Sequence, residues 1–124
     1  KNGVVQKMPF FLGVQANACA PIASAYLQGE LDPCEVNEGV TIAEGIRVRA
    51  PSHGAELLTL FHQGLGAFTG VEEQDILPAR VELGQQGISV EPTSAVVWIA
   101  AKQWIGKLPE PILLIMSGSG LKYQ

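Results

Sequence analysis

Charge is what this 124-residue chain has least of. Charged side chains make up 16% of it, against roughly 25% in a typical soluble domain, while hydrophobic residues make up 47%. A composition this apolar excludes global disorder. The length supports one core, so a single domain over residues 1–124 is expected. The low charge also implies that part of the surface lies against something else. Bases are scarcer than acids, eight against twelve, and they are scattered as Lys1, Lys7, Arg47, Arg49, Arg80, Lys102, Lys107 and Lys122. A phosphate-binding face needs several clustered cations to displace counterions, so nucleic acid is excluded as a partner. Arg47 and Arg49 alternate on an extended segment and read as a solvated face.

Cysteine, histidine and long apolar runs are equally short. Cys19 and Cys34 stand too far apart for a CxxC redox or zinc motif, and His53 and His62 offer no metal-ligand spacing, so no metal site is expected. No histidine sits in a nucleophile–base arrangement, which excludes an argument for a hydrolytic triad. Two free thiols, buried or half-buried, suit a reducing cytoplasm. The longest apolar stretches, Ala95–Ala101 and Pro111–Met116, fall far below the roughly 20 residues that cross a bilayer. No membrane span or signal segment is expected.

What is present is an alternation of short apolar runs and helical patterns. FFLGV (10–14) predicts a strand, and Ala20–Gln28 a helix closed by Gly29. After an acidic loop over Glu30–Gly39, Thr41–Val48 reads as extended chain around Ala43-Glu44-Gly45, where glycine admits close approach of a backbone. Pro51 and Ser52 suit a helix start, with Leu57, Leu58, Leu60 and Phe61 as its apolar face up to Gly64. GAFTGV (66–71) predicts a second strand. Glu72, Glu73 and Asp75 then sit where a helix dipole favours carboxylates. Pro78 is tolerated cheaply only in a first turn, so this helix either begins near Asp75 or bends at Pro78, and it ends near Gln86. Pro92 opens the next helix, with Thr93 and Ser94 available as caps. Its stretch AVVWIAA (95–101) is apolar on every side and predicts burial all round. ILLIM (112–116) shows no alternation, the pattern of a central parallel strand, and ends in Ser117-Gly118-Ser119-Gly120.

The order predicts an α/β domain of three layers, with a short, mainly parallel sheet of about three strands flanked by helices and right-handed crossovers. Ligands in such sheets sit beyond the carboxyl ends of the strands. That points to Ser117–Gly120 and to the loop after Val71. Alone, the SGSG turn is an ordinary strand end, and it lacks the Gly-Lys-Ser/Thr ending of a P-loop. Glu91 alone is either a helix-start acid or a buried carboxylate.

Four segments together say more. GVQANACAPIASAY (13–26), TIAEGIRV (41–48), GISVEPTSA (87–95) and ILLIMSGSGLK (112–122) stand in the order and at the spacing found toward the carboxyl end of threonine synthase. Over nearly its whole length the chain resembles that family, whose members are pyridoxal-phosphate enzymes of the tryptophan-synthase β-subunit type, with the fold-type II architecture. VEPTSA with SGSGLK is more similar to threonine synthase than to its dehydratase or cysteine-synthase relatives. The resemblance implies a β/γ replacement on a phosphohomoserine-like substrate, giving threonine and phosphate with pyridoxal phosphate as electron sink. It implies that the Ser117 hydroxyl, where the family commonly carries threonine, faces the pyridine nitrogen. The backbone at Gly45 lines the ring, Glu91 and Thr93 lie close by, and Ser119 follows.

Two family features have no counterpart in the chain. The Schiff-base lysine and the glycine/asparagine-rich phosphate loop lie upstream of the matched region in the family, and none of Lys1, Lys7, Lys102, Lys107 and Lys122 matches that lysine. The chain therefore reads as the carboxyl-terminal portion of a larger enzyme. It is expected to hold no catalytic residue, to be inactive alone, and to have the remaining polypeptide as its partner and a small amino acid as the parent's substrate. Lys1–Pro9, with Val4, Val5 and Met8 at helical spacing, reads as the tail of an element begun earlier. Two other readings stand beside this one: a free-standing binding or regulatory domain of the same fold, and part of a serine/threonine dehydratase. The apolar excess, Ala95–Ala101 included, is expected to be surface that the remaining polypeptide covers, or that pairs with a second copy.

Overall fold

Two short strands form the centre of the structure, a computed structural model that describes residue 3 and residues 5–123. Phe11–Ala16 (β1) and Gly66–Val71 (β2) run parallel, Phe11 opposite Gly66 and Ala16 opposite Val71. Side chains alternate along a strand. Leu12, Val14, Ala16 and Val71 therefore project to one face, and Gly13, Gln15 and Phe68 to the other.

Each face has its own helical layer, which gives the three-layer α/β arrangement. On the first, Ala16 and Val71 pack with Ile76, Ala79 and Leu83 of α3 (Glu73–Gln85) and with Val96 and Ile99 of α4 (Pro92–Trp104). On the second, Phe68 packs with Ile22, Ala23 and Ala25 of α1 (Pro21–Gln28), with Leu58 of α2 (Gly54–Leu60), and with Phe61. The Phe68 ring stacks on Phe61 at a centroid distance of 4.4 Å and meets Tyr26 edge-on at 5.9 Å. Directly across the ladder is Gly13, over which the ring lies, so that a Cβ there would overlap it. Glycine in this strand makes room for a neighbouring ring.

Several boundaries fall where the residue patterns put them. β2 has the expected limits, and α1 closes on Gly29, whose φ of 75° is the left-handed conformation that glycine adopts without strain. No local side chain caps the start of α1. Instead Gln15 Oε1, from β1, accepts from Ile22 N at 3.0 Å and Ala23 N at 2.9 Å, satisfying two first-turn donors from a neighbouring element. α3 begins at Glu73, two residues before Asp75, and runs through Pro78 to Gln85. The proline ring deletes the amide that would bond the Gln74 carbonyl. Gln74 and Pro78 are both exposed, which leaves that carbonyl to solvent.

Other expectations are corrected. Ile112–Met116 is not a third strand, and the sheet among the described residues has two. The run has the composition of a central strand but no neighbouring strand to bond. Ile112, Leu114 and Met116 are half-buried, whereas Leu113 is 86% and Ile115 75% exposed. Thr41–Val48 is not extended throughout, because Glu44–Ile46 tightens into a turn of 3₁₀ helix. Ser52 does not cap α2, which begins at Gly54 and widens through Phe61–Leu65 before Gly64, at φ 97°, turns the chain into β2. Of that helix's expected apolar face, Leu58 and Phe61 are buried, and Leu57 and Leu60 are exposed. Ala95–Ala101 is not buried all round: Ala95, Val96, Ile99 and Ala100 are, while Val97, Trp98 and Ala101 are half-buried. α3 and the sheet cover only one side of α4. Val5–Phe10 forms no helix, and Lys1 and Val4 lie outside the described residues. Cys19 is buried, Cys34 is half-buried, and both are free. Among the described residues, no helix is long and apolar enough to cross a membrane.

Two measurements probe this packing. Leu58→Ala and Ile76→Ala remove fully buried side chains, one from each layer, and each is expected to lower the unfolding free energy in urea by about 2–5 kcal/mol. Pro78→Ala restores the missing amide on an exposed helix face and is expected to raise stability by about 1–3 kcal/mol. A loss of stability there would mean that the ring is packed.

Candidate functional site

The first turn of α4 draws two distant segments to one point. Glu91 is its N-cap residue in extended conformation, and Pro92 occupies the first helical position, where a missing amide costs nothing. Thr93 and Ser94 follow, and neither hydroxyl caps the helix. Thr93 Oγ1 instead accepts from Gly45 N at 3.2 Å, and Ser94 Oγ accepts from Gly118 N at 2.8 Å. Two consecutive side chains thus hold two loops that come from opposite ends of the sequence.

The SGSG segment is tied to this turn by its backbone as well. Glu91 N donates to Gly118 O at 3.1 Å, and Gly120 N donates to Ser89 O at 3.1 Å. Val90 and Ser119 form an antiparallel bridge between these bonds. The chain after Met116 therefore pairs with residues 89–91 rather than with the sheet. Arg80 of α3 secures the same region: its Nε donates to Val90 O at 2.9 Å, and its guanidinium lies 4.8 Å from the Tyr123 ring centroid. Such a cation over an aromatic face is mildly attractive.

Glycine leaves room at two of these positions for what lies against them. A Cβ at Gly118 would run into the Glu91 side chain, and one at Gly45 would sit 3.0 Å from Thr93 Oγ1 and 3.2 Å from Thr93 Cγ2. Both glycines bring a bare peptide against the start of α4.

Of the residues singled out from sequence, Gly45 and Thr93 are bonded to each other, and Glu91 lies against Gly118 beside Ser117. The Ser117 side chain is exposed and makes no hydrogen bond within the described residues. Ser119 Oγ accepts from Leu121 N at 3.3 Å and caps the short turn Gly120–Lys122. Thr93 and Ser94 suit caps from the sequence, which does not disclose that Ser94 holds Gly118. Its only signal was a second hydroxyl next to Thr93.

The loop after Val71, the other position expected to face a ligand, has its carboxylates engaged. Glu72 Oε1 accepts from Asn17 Nδ2 at 2.6 Å, and Glu73 Oε1 accepts from Ile42 N at 2.7 Å. These bonds join the loops that leave β1 and β2 and fasten the segment that leads to Gly45. The ionisations that the fold alters lie on the surface. Arg47, hydrogen-bonded at 2.6 Å, holds the Glu38 carboxyl below the usual carboxylate range. Lys102 does the same for Glu82. An open groove of about 740 Å³ lined by Pro33, Cys34, Glu35 and Arg49 touches none of the candidate residues. Among the described residues, no cluster of His, Cys, Asp and Glu could hold a metal ion.

The chain is 29% identical to threonine synthase of Methanocaldococcus jannaschii over 98% of its own length and 31% of that protein's. It is 30% identical to the threonine synthase of Methanosarcina acetivorans over 75% of its length and 23% of that protein's. With threonine synthase of Mycobacterium bovis the identity is 28%, over 97% and 32% respectively. The chain thus spans about a third of the length of the curated relatives it matches. Its fold is similar to that in the crystal structure of a T.th. threonine deaminase, with a TM-score of 0.70 and 22% identity, covering 89% of this chain and 39% of that one. The family profile described as pyridoxal-phosphate dependent enzyme matches residues 5–118, and the chain belongs to that family.

Proposed function

We propose that this chain is the carboxyl-terminal part of a threonine-synthase-like enzyme that converts O-phosphohomoserine and water to threonine and phosphate, and that it supplies the pyridine-ring side of the cofactor site. The observation that carries this is the pair of bonds from Gly45 N to Thr93 Oγ1 and from Gly118 N to Ser94 Oγ. They gather Gly45, Glu91, Thr93 and Ser117 at one helix terminus and leave the Ser117 hydroxyl uncommitted. The threonine synthases matched over most of the chain support the same reading.

These residues fit one end of pyridoxal phosphate. Ser117 offers a neutral hydroxyl, Gly45 and Gly118 offer bare peptides that a Cβ would obstruct, and no Lys or Arg side chain among the described residues hydrogen-bonds Gly45, Glu91, Thr93 or Ser117. That donor set suits the aromatic ring and not the phosphate. Bound pyridoxal phosphate supplies an electron sink that stabilises carbanions. Ser117 is the residue for the ring nitrogen, and its hydroxyl, unlike a carboxylate, does not hold a proton there. Thr93 keeps the Gly45 peptide in place along the ring, and Glu91 closes the edge beside Gly118. Ser119, committed to Leu121 N, keeps the turn in shape. No lysine of the chain is assigned to the cofactor. Lys102 is paired with Glu82, and the lysine belongs to the remaining polypeptide, without which the chain is inactive. The free thiols of Cys19 and Cys34 agree with a cytoplasmic location.

The remaining polypeptide also accounts for the exposed apolar side chains, among them Val40, Leu113, Ile115 and Leu121. A chain lacking that cover is expected to associate with itself through them. Sedimentation at micromolar concentration that finds only monomer, together with no binding of an apolar dye, would count against this.

The function is tested by assaying the chain alone and the longer polypeptide that contains it. The chain alone is expected to release no phosphate from O-phosphohomoserine, and the longer polypeptide to bind pyridoxal phosphate and to yield threonine and phosphate in equal amounts. An oxoacid product in place of threonine would move the assignment to a dehydratase, and a polypeptide that binds no cofactor would remove it. In the longer polypeptide, Ser117→Thr keeps the hydroxyl and is expected to stay active, whereas Ser117→Ala loses one polar contact and is expected to lower turnover by about tenfold or more.

A further inference from the structure

The Ser117 side chain has no hydrogen bond of its own within the described residues, so its direction is set by the backbone on either side. Before it, Ile112–Met116 forms no ladder. After it, Gly118 is held at both ends: its N–H donates to Ser94 Oγ at 2.8 Å, and its carbonyl accepts from Glu91 N at 3.1 Å. The Gly118 N–H belongs to the same rigid plane as the carbonyl and Cα of Ser117. Fixing that N–H therefore fixes the peptide plane from which the Ser117 side chain projects and leaves ψ and χ1 of Ser117 as the freedom of its hydroxyl. Ser94 is itself only 5% exposed and sits in the first turn of a helix packed on α3 and the sheet, so its Oγ is a stationary acceptor. The Glu91 side chain lies over Gly118, in the space a Cβ would take.

We propose that Ser94 is a positioning residue: by accepting from Gly118 N it aims the Ser117 hydroxyl, and so decides how the ring nitrogen of the cofactor is met. The inference rests on the function proposed above. Ser94 does not touch the reacting atoms, and it acts only through the Ser117–Gly118 peptide. Thr93, one residue earlier, does the corresponding work for the Gly45 peptide, which makes the start of α4 a common reference for both backbone segments of the site.

The test uses the longer polypeptide with Ser94→Ala, Ser94→Thr, which retains the acceptor oxygen, and Ile99→Val, a destabilising change in the core of the same helix at a side chain that makes none of the site's hydrogen bonds. Hydrogen exchange at Gly118 N is measured without cofactor, and the pH dependence of bound-cofactor absorbance and steady-state kinetics with it. Ser94→Ala is expected to speed Gly118 exchange, to displace the absorbance–pH profile, and to lower kcat about tenfold with KM changed less than about twofold. Ser94→Thr is expected to restore the absorbance–pH profile, and Ile99→Val to leave it unmoved despite its lower stability. A Ser94→Ala protein with the parent's profile and kcat overturns the inference and leaves the proposed function standing. The same holds if Ile99→Val displaces the profile as far as Ser94→Ala does. A parent polypeptide that binds no pyridoxal phosphate overturns both.

Discussion

Everything assigned to function in this chain depends on the two hydroxyls in the first turn of α4. Hydroxyl side chains at a helix start ordinarily accept from the helix's own free amides. Thr93 and Ser94 accept instead from Gly45, in the 3₁₀ turn Glu44–Ile46, and from Gly118, beside the Val90–Ser119 bridge. The helix can forgo the caps because Pro92 has no amide to satisfy and because Ser94 N and Ala95 N both reach Glu91 O, at 3.0 and 3.2 Å. A helix packed on α3 and the sheet thereby anchors two backbone segments that lie outside the sheet. That is the arrangement a binding site needs, since loops carry the contacts and regular elements hold them still.

The helix is rigid because of the layer beneath it. Ala95, Val96, Ile99 and Ala100 pack against Ile76, Ala79 and Leu83 of α3 and against Ala16 and Val71 at the carboxyl ends of the two strands. The same strand ends release the loops through Asn17 and Glu72, joined at 2.6 Å, and Glu73 then fastens Ile42 N. Packing and polar contacts so converge on one edge of the sheet. The opposite layer, around Phe68, contributes stability and no candidate residue.

Much of this was legible in the residues. β2, α1 and α3 lie within a residue or two of the limits that their turns, prolines and apolar spacing imply, and α4 begins at the proline expected to open it, because those signals are local. The site residues were named through resemblance, since neither the SGSG turn nor Glu91 distinguishes a site from a strand end or a helix start. Gln15 as the cap of α1 and Ser94 as the holder of Gly118 were not legible. Each bond joins residues whose nearness depends on how the sheet and helices pack. Ile112–Met116 misled for a related reason: its composition states a need for strand neighbours, and composition cannot supply them.

The sequence by itself determined the alternation of elements, the low charge with its scattered bases, and the order of the four family segments. Each depends on residue identity or on spacing along the chain. Only the tertiary structure decided that two strands rather than three form the sheet, that α4 is covered on one side, and that Thr93 and Ser94 face outward to Gly45 and Gly118 instead of inward to their own helix. Hydrogen bonds and burial are settled by which groups come within about 3 Å of one another, and for partners this far apart in sequence that distance is a property of the folded packing alone.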